Sequence, residues 1–206
     1  MPRTIEKTVF EFAELSDRAK ERARDWFRSC GGPEDFEFVI DDAIAIGELM
    51  GIQFDHRTVR LMNGSTRGEP KVWWSLSYCQ GDGASFDGIY RYRKGASKLV
   101  RDHAPVDKVL HRIVDALMEA QKPHFYRLIA HCSDSRGCQH VDCEDSESSY
   151  REIGAEQTVV EDALKDFAHW IYTQLRDEDE YHNADEQVDE SIEANEYEFD
   201  EEGRRA

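Results

Sequence analysis

The chain has 206 residues, enough for one compact domain with an appendage but short for two full domains. Hydrophobic residues make up 39% and aromatics 11%, which excludes a disordered acidic chain, while 34% of residues are charged and the formal net charge is -18. That balance argues against direct contact with nucleic acid or an anionic membrane and favours cationic protein surfaces.

Five cysteines without a framework spacing, no N-terminal apolar signal region and no apolar run of membrane-spanning length predict a reducing cytoplasm. The charge is unevenly placed. From Arg176 to Ala206 there are fourteen carboxylates against Arg176, Arg204 and Arg205, so the last 31 residues carry a net -11.

In chain order, Thr4 to Phe12 reads as an opening strand. Ser16 is a good N-cap for a helix over Asp17 to Ser29, with Ala19, Ala23, Trp26 and Phe27 on one face and Gly31-Gly32-Pro33 as its stop. A second helix spans Pro33 to Met50 and ends at Gly51. Ile52 to Leu61 reads as a strand and Asn63 to Pro70 as a polar loop.

The densest aromatic stretch, Lys71 to Lys94, carries two alternating runs separated by Gln80-Gly81-Asp82-Gly83 and predicts an antiparallel hairpin. Trp74, Leu76 and Tyr78 are its expected buried face, with Phe86, Gly88, Tyr90 and Tyr92 aligned on the second run. Helices follow over Ala96 to His103 and Val106 to Gln121, with Pro123 forbidding continuation. Phe125 to Cys132 and Gln139 to Cys143 are strand candidates around a turn at Ser133 to Gly137. Glu156 to Glu180 is the longest helical pattern, and Asn183-Ala184-Asp185 opens a last short helix before an acidic tail holding Tyr197 and Phe199.

The pattern predicts an α+β fold: a mainly antiparallel sheet with a central aromatic hairpin covered by helices, and an acidic helical C-terminal extension. The expected division is a single domain over 1–182 and an acidic helix and tail over 183–206.

Chemistry is sparse. The glycine loop at 80–83 precedes a strand pattern rather than a helix, so it reads as a hairpin turn and not a phosphate cradle. Cys132, Cys138, His140 and Cys143 offer three thiols and an imidazole, a soft donor set suited to zinc, although no paired C-x2-C knuckle occurs. A zinc-stabilised binding module is therefore the alternative reading, against free thiols. The remaining histidines fall in no nucleophile motif, and no enzyme activity or cofactor is expected. The basic residues of the first helix, Arg18, Lys20, Arg22, Arg24 and Arg28, interleave with Asp17, Glu21 and Asp25 at intrahelical pairing distances and read as a solvated face.

The C-terminal acids stand apart. On a helix, Asp185, Glu186, Asp189, Glu190 and Glu193 form one carboxylate stripe, and Ala184, Val188 and Ile192 a separate apolar seam. Like charges four residues apart repel, so the stripe either solubilises the chain or awaits a cationic partner.

The segments RTIEKTVFEFAELSDRAKERARDWFR (Arg3 to Arg28), SYCQGDGASFDGIYRYRKG (Ser77 to Gly95), APVDKVLHRIVDAL (Ala104 to Leu117) and the end from Asp166 to Arg205 resemble a family of small acidic phage and prophage proteins. Its members are labelled antitoxin-like components of a toxin-antitoxin stability system. The resemblance implies a bacterial host cytoplasm and no catalysis, and it transfers no site residues. Together with the stripe it leads to the expectation of a non-enzymatic inhibitor, antitoxin-like, anti-CRISPR-like or otherwise anti-defence. Such a protein would occupy the basic surface of a nucleic-acid-binding host protein as a nucleic-acid mimic.

Overall fold

A computed structural model describes residues 7–30, 36–78, 81–146 and 154–206. In chain order the elements are β1 (Phe10–Glu11), a 3-10 turn (Phe12–Glu14), α1 (Asp17–Ser29), α2 (Glu37–Met50), β2 (Ile52–Phe54), β3 (His56–Arg60), β4 (Thr66–Pro70), β5 (Val72–Ser75), β6 (Gly83–Phe86) and β7 (Gly88–Arg91). Then come α3 (Ala96–His103), α4 (Lys108–Gln121), a 3-10 turn (Lys122–His124), β8 (Leu128–Ser135), β9 (Cys138–Asp145), α5 (Ala155–His182), α6 (Asp185–Ala194) and β10 (Glu198–Phe199). The fold is α+β with antiparallel pairing throughout.

Local chemistry sets the helix ends. Ser16 Oγ accepts from the Ala19 amide and starts α1 where expected. Gly51, at φ 107°, closes α2 in the left-handed conformation that only glycine adopts without strain. Asp107 caps α4 by accepting from Val109 and Leu110, and its other oxygen takes the Trp170 indole N–H of α5 at 2.8 Å. The expected stop at Gly31-Gly32-Pro33, the first residues of the opening strand, the start of the second helix at Pro33 and Gln80 of the hairpin turn lie outside the described residues.

The chain gathers into two compact units, 36–176 and a terminal unit joining 1–35 to 177–206, with α5 running from the first into the second. This differs from the expected split at residue 182, because α6 and the tail fold onto the N-terminal segment instead of trailing behind a finished domain.

In the larger unit a four-stranded sheet, ordered β2-β7-β8-β9, buries Tyr90, Leu128 and Ala130 on one face. That face shares a core with Ile46 of α2, Leu117 of α4 and Phe167 of α5. Its other face, with His131, His140 and Asp142, is solvated, as antiparallel sheets permit.

The aromatic hairpin forms, but its second run changes partner. β5 pairs with β6 in the register Val72 to Phe86 and Ser75 to Gly83, whereas β7 leaves this ribbon at Asp87 and joins β2 and β8. Gly88 permits that move, since a Cβ there would stand 2.5 Å from the Gln53 carbonyl oxygen. Helical cover reaches only the near end of the ribbon, where Phe86 packs edge-on to Phe54 and Phe167 at 5.4 and 5.8 Å. Trp74 and Tyr78, expected inside, are therefore exposed.

The expected single strand at Ile52 to Leu61 breaks at Asp55, and the expected loop at Asn63 to Pro70 holds β4, paired along its length with β3. Three ribbons thus meet at one point. The Asp55 amide donates to the Asp87 carbonyl at 2.9 Å, the Lys71 amide to Asp55 at 2.8 Å and the Asp87 amide to Lys71 at 3.0 Å, closing a cycle of backbone bonds. The Asp87 carboxylate locks it: Oδ2 receives Lys71 Nζ at 3.1 Å and Oδ1 the Asp134 amide at 2.8 Å.

Replacing Asp87 by Ala removes both side-chain bonds and should lower stability by about 2–3 kcal/mol. Asn, which still accepts from Asp134, should cost less. Urea unfolding midpoints check this, and an unchanged midpoint in the Ala variant would remove the junction's structural role.

Candidate interaction surface

α6 carries the stripe, and α1 divides it. Arg24 of α1 makes a two-pronged bond to Asp189, Nε to Oδ1 at 2.6 Å and Nη2 to Oδ2 at 2.7 Å. Arg28 reaches Asp185 at 2.5 Å and the Asn183 carbonyl at 2.9 Å. These two arginines are not part of a merely solvated face; they are the cations that two of the stripe's five carboxylates require. Val188 and Ile192 are buried beside them, as the seam predicts.

Glu186, Glu190 and Glu193 are exposed, and none has an ion pair among the described residues. The row therefore separates into an architectural pair, Asp185 and Asp189, and an outward trio.

Beyond α6 the tail docks. Trp26 meets Tyr197 at 5.3 Å and Phe199 at 5.6 Å, both edge-on, and Arg205 lies 4.7 Å from the Tyr197 ring centre. β10 pairs with β1, placing Phe10 opposite Phe199 and Glu11 opposite Glu198. Two carboxylates directly opposite on a two-stranded ladder repel each other.

That pair borders a cleft of about 550 Å³ with an apolar floor of Phe12, Ile192 and Tyr197 and a rim of Glu11, Glu193, Glu196 and Glu198. A second cleft of about 630 Å³, lined by Arg18, Arg22, Glu14, Glu201 and Glu202 among others, has mixed charge. Arg22 there already donates to the Glu202 carbonyl. Of the two, the first has a rim of carboxylates with no cation lining it and half-buried Tyr197 as the one floor side chain that is not buried, a combination that suits a cation. Glu11, Glu196 and Glu198 are absent from the stripe, yet a signal for them exists: Phe10-Glu11-Phe12 and Glu196-Tyr197-Glu198-Phe199 alternate acid and aromatic at opposite ends of the chain.

The zinc alternative fails on sheet geometry. Cys132 and Cys143 face the core, while Cys138 and His140 lie on the solvent side of the same β8–β9 ladder, so the four cannot converge on one ion. Burial pushes both inward thiols up to about 12, which keeps them protonated at neutral pH. Among the described residues no group of three potential ligands gathers.

Several histidines have structural partners. His103 meets Asp42 at 2.7 Å, His111 the Ala104 carbonyl at 2.8 Å and His182 Glu178 at 2.9 Å, and buried His124 lies between Asp145 and Glu156. In the glycine loop, Asp82 Oδ1 accepts from Ser75 and Ser77, tying the turn to its own strand as a hairpin turn requires. No helix among the described residues is long and apolar enough to cross a membrane.

A family of domains of unknown function, DUF8835, matches residues 36–185, well over half of the chain. The chain belongs to this family. The DUF8835 match covers the larger unit and stops at Asp185, so the glutamates of the cleft and the outward trio all lie outside it. No curated protein and no solved structure matches the chain.

Asp185 makes the division of the stripe testable by pH. Its carboxyl is held below the ordinary carboxylate range, first by the hydrogen bond from Arg28 and then by the nearby charges of Arg24 and Arg28. A depressed carboxyl contributes stability above its ordinary titration and loses it as pH falls through the depressed value. The melting midpoint of the wild type should therefore fall more than that of Asp185→Asn between about pH 5 and about pH 2, the variant having lost the contribution at the outset. Equal falls in circular-dichroism melts would show that Asp185 is not anchored by Arg28.

Proposed function

We propose that the chain is a non-enzymatic binding protein whose acidic terminal unit occupies the cationic surface of a nucleic-acid-binding protein. The reading is carried by the cleft, in which Glu11 faces Glu198 across a ladder and Glu193 and Glu196 complete the rim above Phe12, Ile192 and Tyr197. Mutual repulsion of these carboxylates costs stability when the surface is empty, and an arriving cation removes that cost. Glu186 and Glu190 extend the negative surface along α6. A row of carboxylates can stand in for backbone phosphates toward an arginine- or lysine-lined groove, with steered association that weakens as salt screens it.

The sequence resemblance to acidic phage and prophage proteins supports a bacterial host cytoplasm as the setting. It also supports a host toxin, nuclease or nucleic-acid-guided defence complex as the partner. Asp185 and Asp189, already neutralised by Arg28 and Arg24, are assigned to the architecture of the unit and not to the contact.

Affinity capture from a bacterial host extract tests this. The tagged wild type should retain a basic, nucleic-acid-binding protein and block its binding to nucleic acid. Glu11→Gln, Glu193→Gln, Glu196→Gln and Glu198→Gln combined should keep the fold by circular dichroism and weaken capture at least about tenfold. Undiminished capture by the folded quadruple variant would exclude the cleft as the contact.

A further inference from the structure

The ribbon β3–β4 is unlike the rest of the larger unit, since none of its residues is buried and only Val59, Glu69 and Pro70 are half-buried. His56, Arg57, Thr58 and Arg60 on one strand and Thr66, Arg67 and Gly68 on the other are exposed, and at the tip Leu61 is partly and Met62 wholly exposed. A two-stranded ribbon without a packed face is marginal by itself, and an exposed pair of large apolar side chains at its end adds to that cost.

The tip is nonetheless ordered by its own bonds. The Leu61 amide donates to Ser65 O at 2.8 Å and the Gly64 amide to Leu61 O at 2.9 Å. Asn63 Oδ1 accepts from both the amide and the hydroxyl of Ser65, at 3.0 and 2.7 Å. A pre-formed tip loses little freedom on docking.

Its charge is opposite to that of the chain. Arg57, Arg60 and Arg67 stand against Glu69 alone, in a molecule of net -18. Glu69 holds Arg57 at 3.2 Å and Arg67 at 3.0 Å, and Arg57 also lies over the Trp73 ring, whereas Arg60 has no acid partner among the described residues. The segment therefore presents one uncommitted guanidinium beside Leu61 and Met62.

The acidic cleft has the matching chemistry: four glutamates around half-buried Tyr197, with buried Phe12 and Ile192 beneath, in a space of about 550 Å³. We infer that the β3–β4 tip of one molecule docks into the acidic cleft of a second copy, Arg60 meeting the glutamate rim and Leu61 and Met62 packing beside half-buried Tyr197. The inference rests on reading that cleft as a receptor for cations, and deepens it by naming the ligand as a guanidinium flanked by apolar side chains. Methionine sulfur against an aromatic ring edge is a favourable contact. A hairpin tip buries less than the roughly 1,200 Å² of a stable interface, so the association is weak and reversible, and a host partner with a larger cationic surface displaces it.

Sedimentation of the purified full chain tests this between about 10 µM and about 500 µM. The average mass should rise toward twice that of the monomer or beyond at low salt, and fall back as salt approaches about 0.5 M. Leu61→Ser with Met62→Ser, and separately Arg60→Glu, should weaken association at least tenfold. Adding Glu193→Arg and Glu198→Arg to Arg60→Glu should restore it, a rescue that a folding defect cannot imitate. A wild type that stays monomeric throughout, or association untouched by the tip variants, overturns the inference. So does tip-dependent binding of a labelled DNA duplex without self-association, which assigns the arm to nucleic acid. A monomeric wild type whose host capture still depends on the cleft glutamates would refute this inference alone.

Discussion

The grip of Arg24 and Arg28 on Asp189 and Asp185 organises the acidic end of this chain. Without those two arginines the five carboxylates of α6 would be one repulsive row, and with them the row has an inside and an outside. Arg24 is largely covered, its side chain 15% exposed, so its pairing with Asp189 is screened less than a surface bridge and holds α6 in a fixed rotation against α1. That rotation points Val188 and Ile192 inward and leaves Glu186, Glu190 and Glu193 in solvent. The aromatic cluster of Trp26, Tyr197 and Phe199 then fixes the tail and sets Glu198 opposite Glu11. An acidic stretch that composition alone describes as a solvated tail is a folded surface in which some charges are used up internally and others are left over.

The larger unit obeys a different constraint. Three antiparallel ribbons end at Asp55, Lys71 and Asp87, and the cycle of backbone bonds among them lets only one ribbon, β2–β7, enter the helix-covered sheet. The others project. Two glutamine side chains finish strand edges that have no neighbour: Gln139 bonds both the amide and the carbonyl of Phe86, and Gln121 does the same for Leu128. Each amide takes the place of a missing strand residue, which satisfies buried backbone groups without extending the sheet. The junction explains how an α+β core of ordinary composition comes to display an uncovered, cationic arm.

What was legible in the sequence is what local chemistry determines. The Ser16 cap, the Gly51 stop, the long helical pattern over Glu156 to Glu180, and the apolar seam of Val188 and Ile192 act within a few residues and appear as read. The β3–β4 ribbon did not show because period-two alternation marks a strand with one buried face, and here neither strand holds a buried residue. The partner change at Asp87 was hidden since it depends on backbone bonds between residues far apart in the chain. Cys132 and Cys143 looked like neighbours of Cys138 and His140 until strand parity placed them on the other face. The stripe was legible as a pattern but not as a site, because the cations that claim Asp185 and Asp189 lie more than 150 residues earlier.

The central claim is that the glutamates of the cleft, and not the two aspartates that α1 holds, meet a cation. Carbon-detected NMR of the side-chain carboxyls during titration with an arginine-rich peptide addresses it directly. The account predicts that the Glu11, Glu193, Glu196 and Glu198 resonances move together and saturate while those of Asp185 and Asp189 stay in place. Movement of Asp185 and Asp189 with the cleft glutamates unperturbed would contradict it.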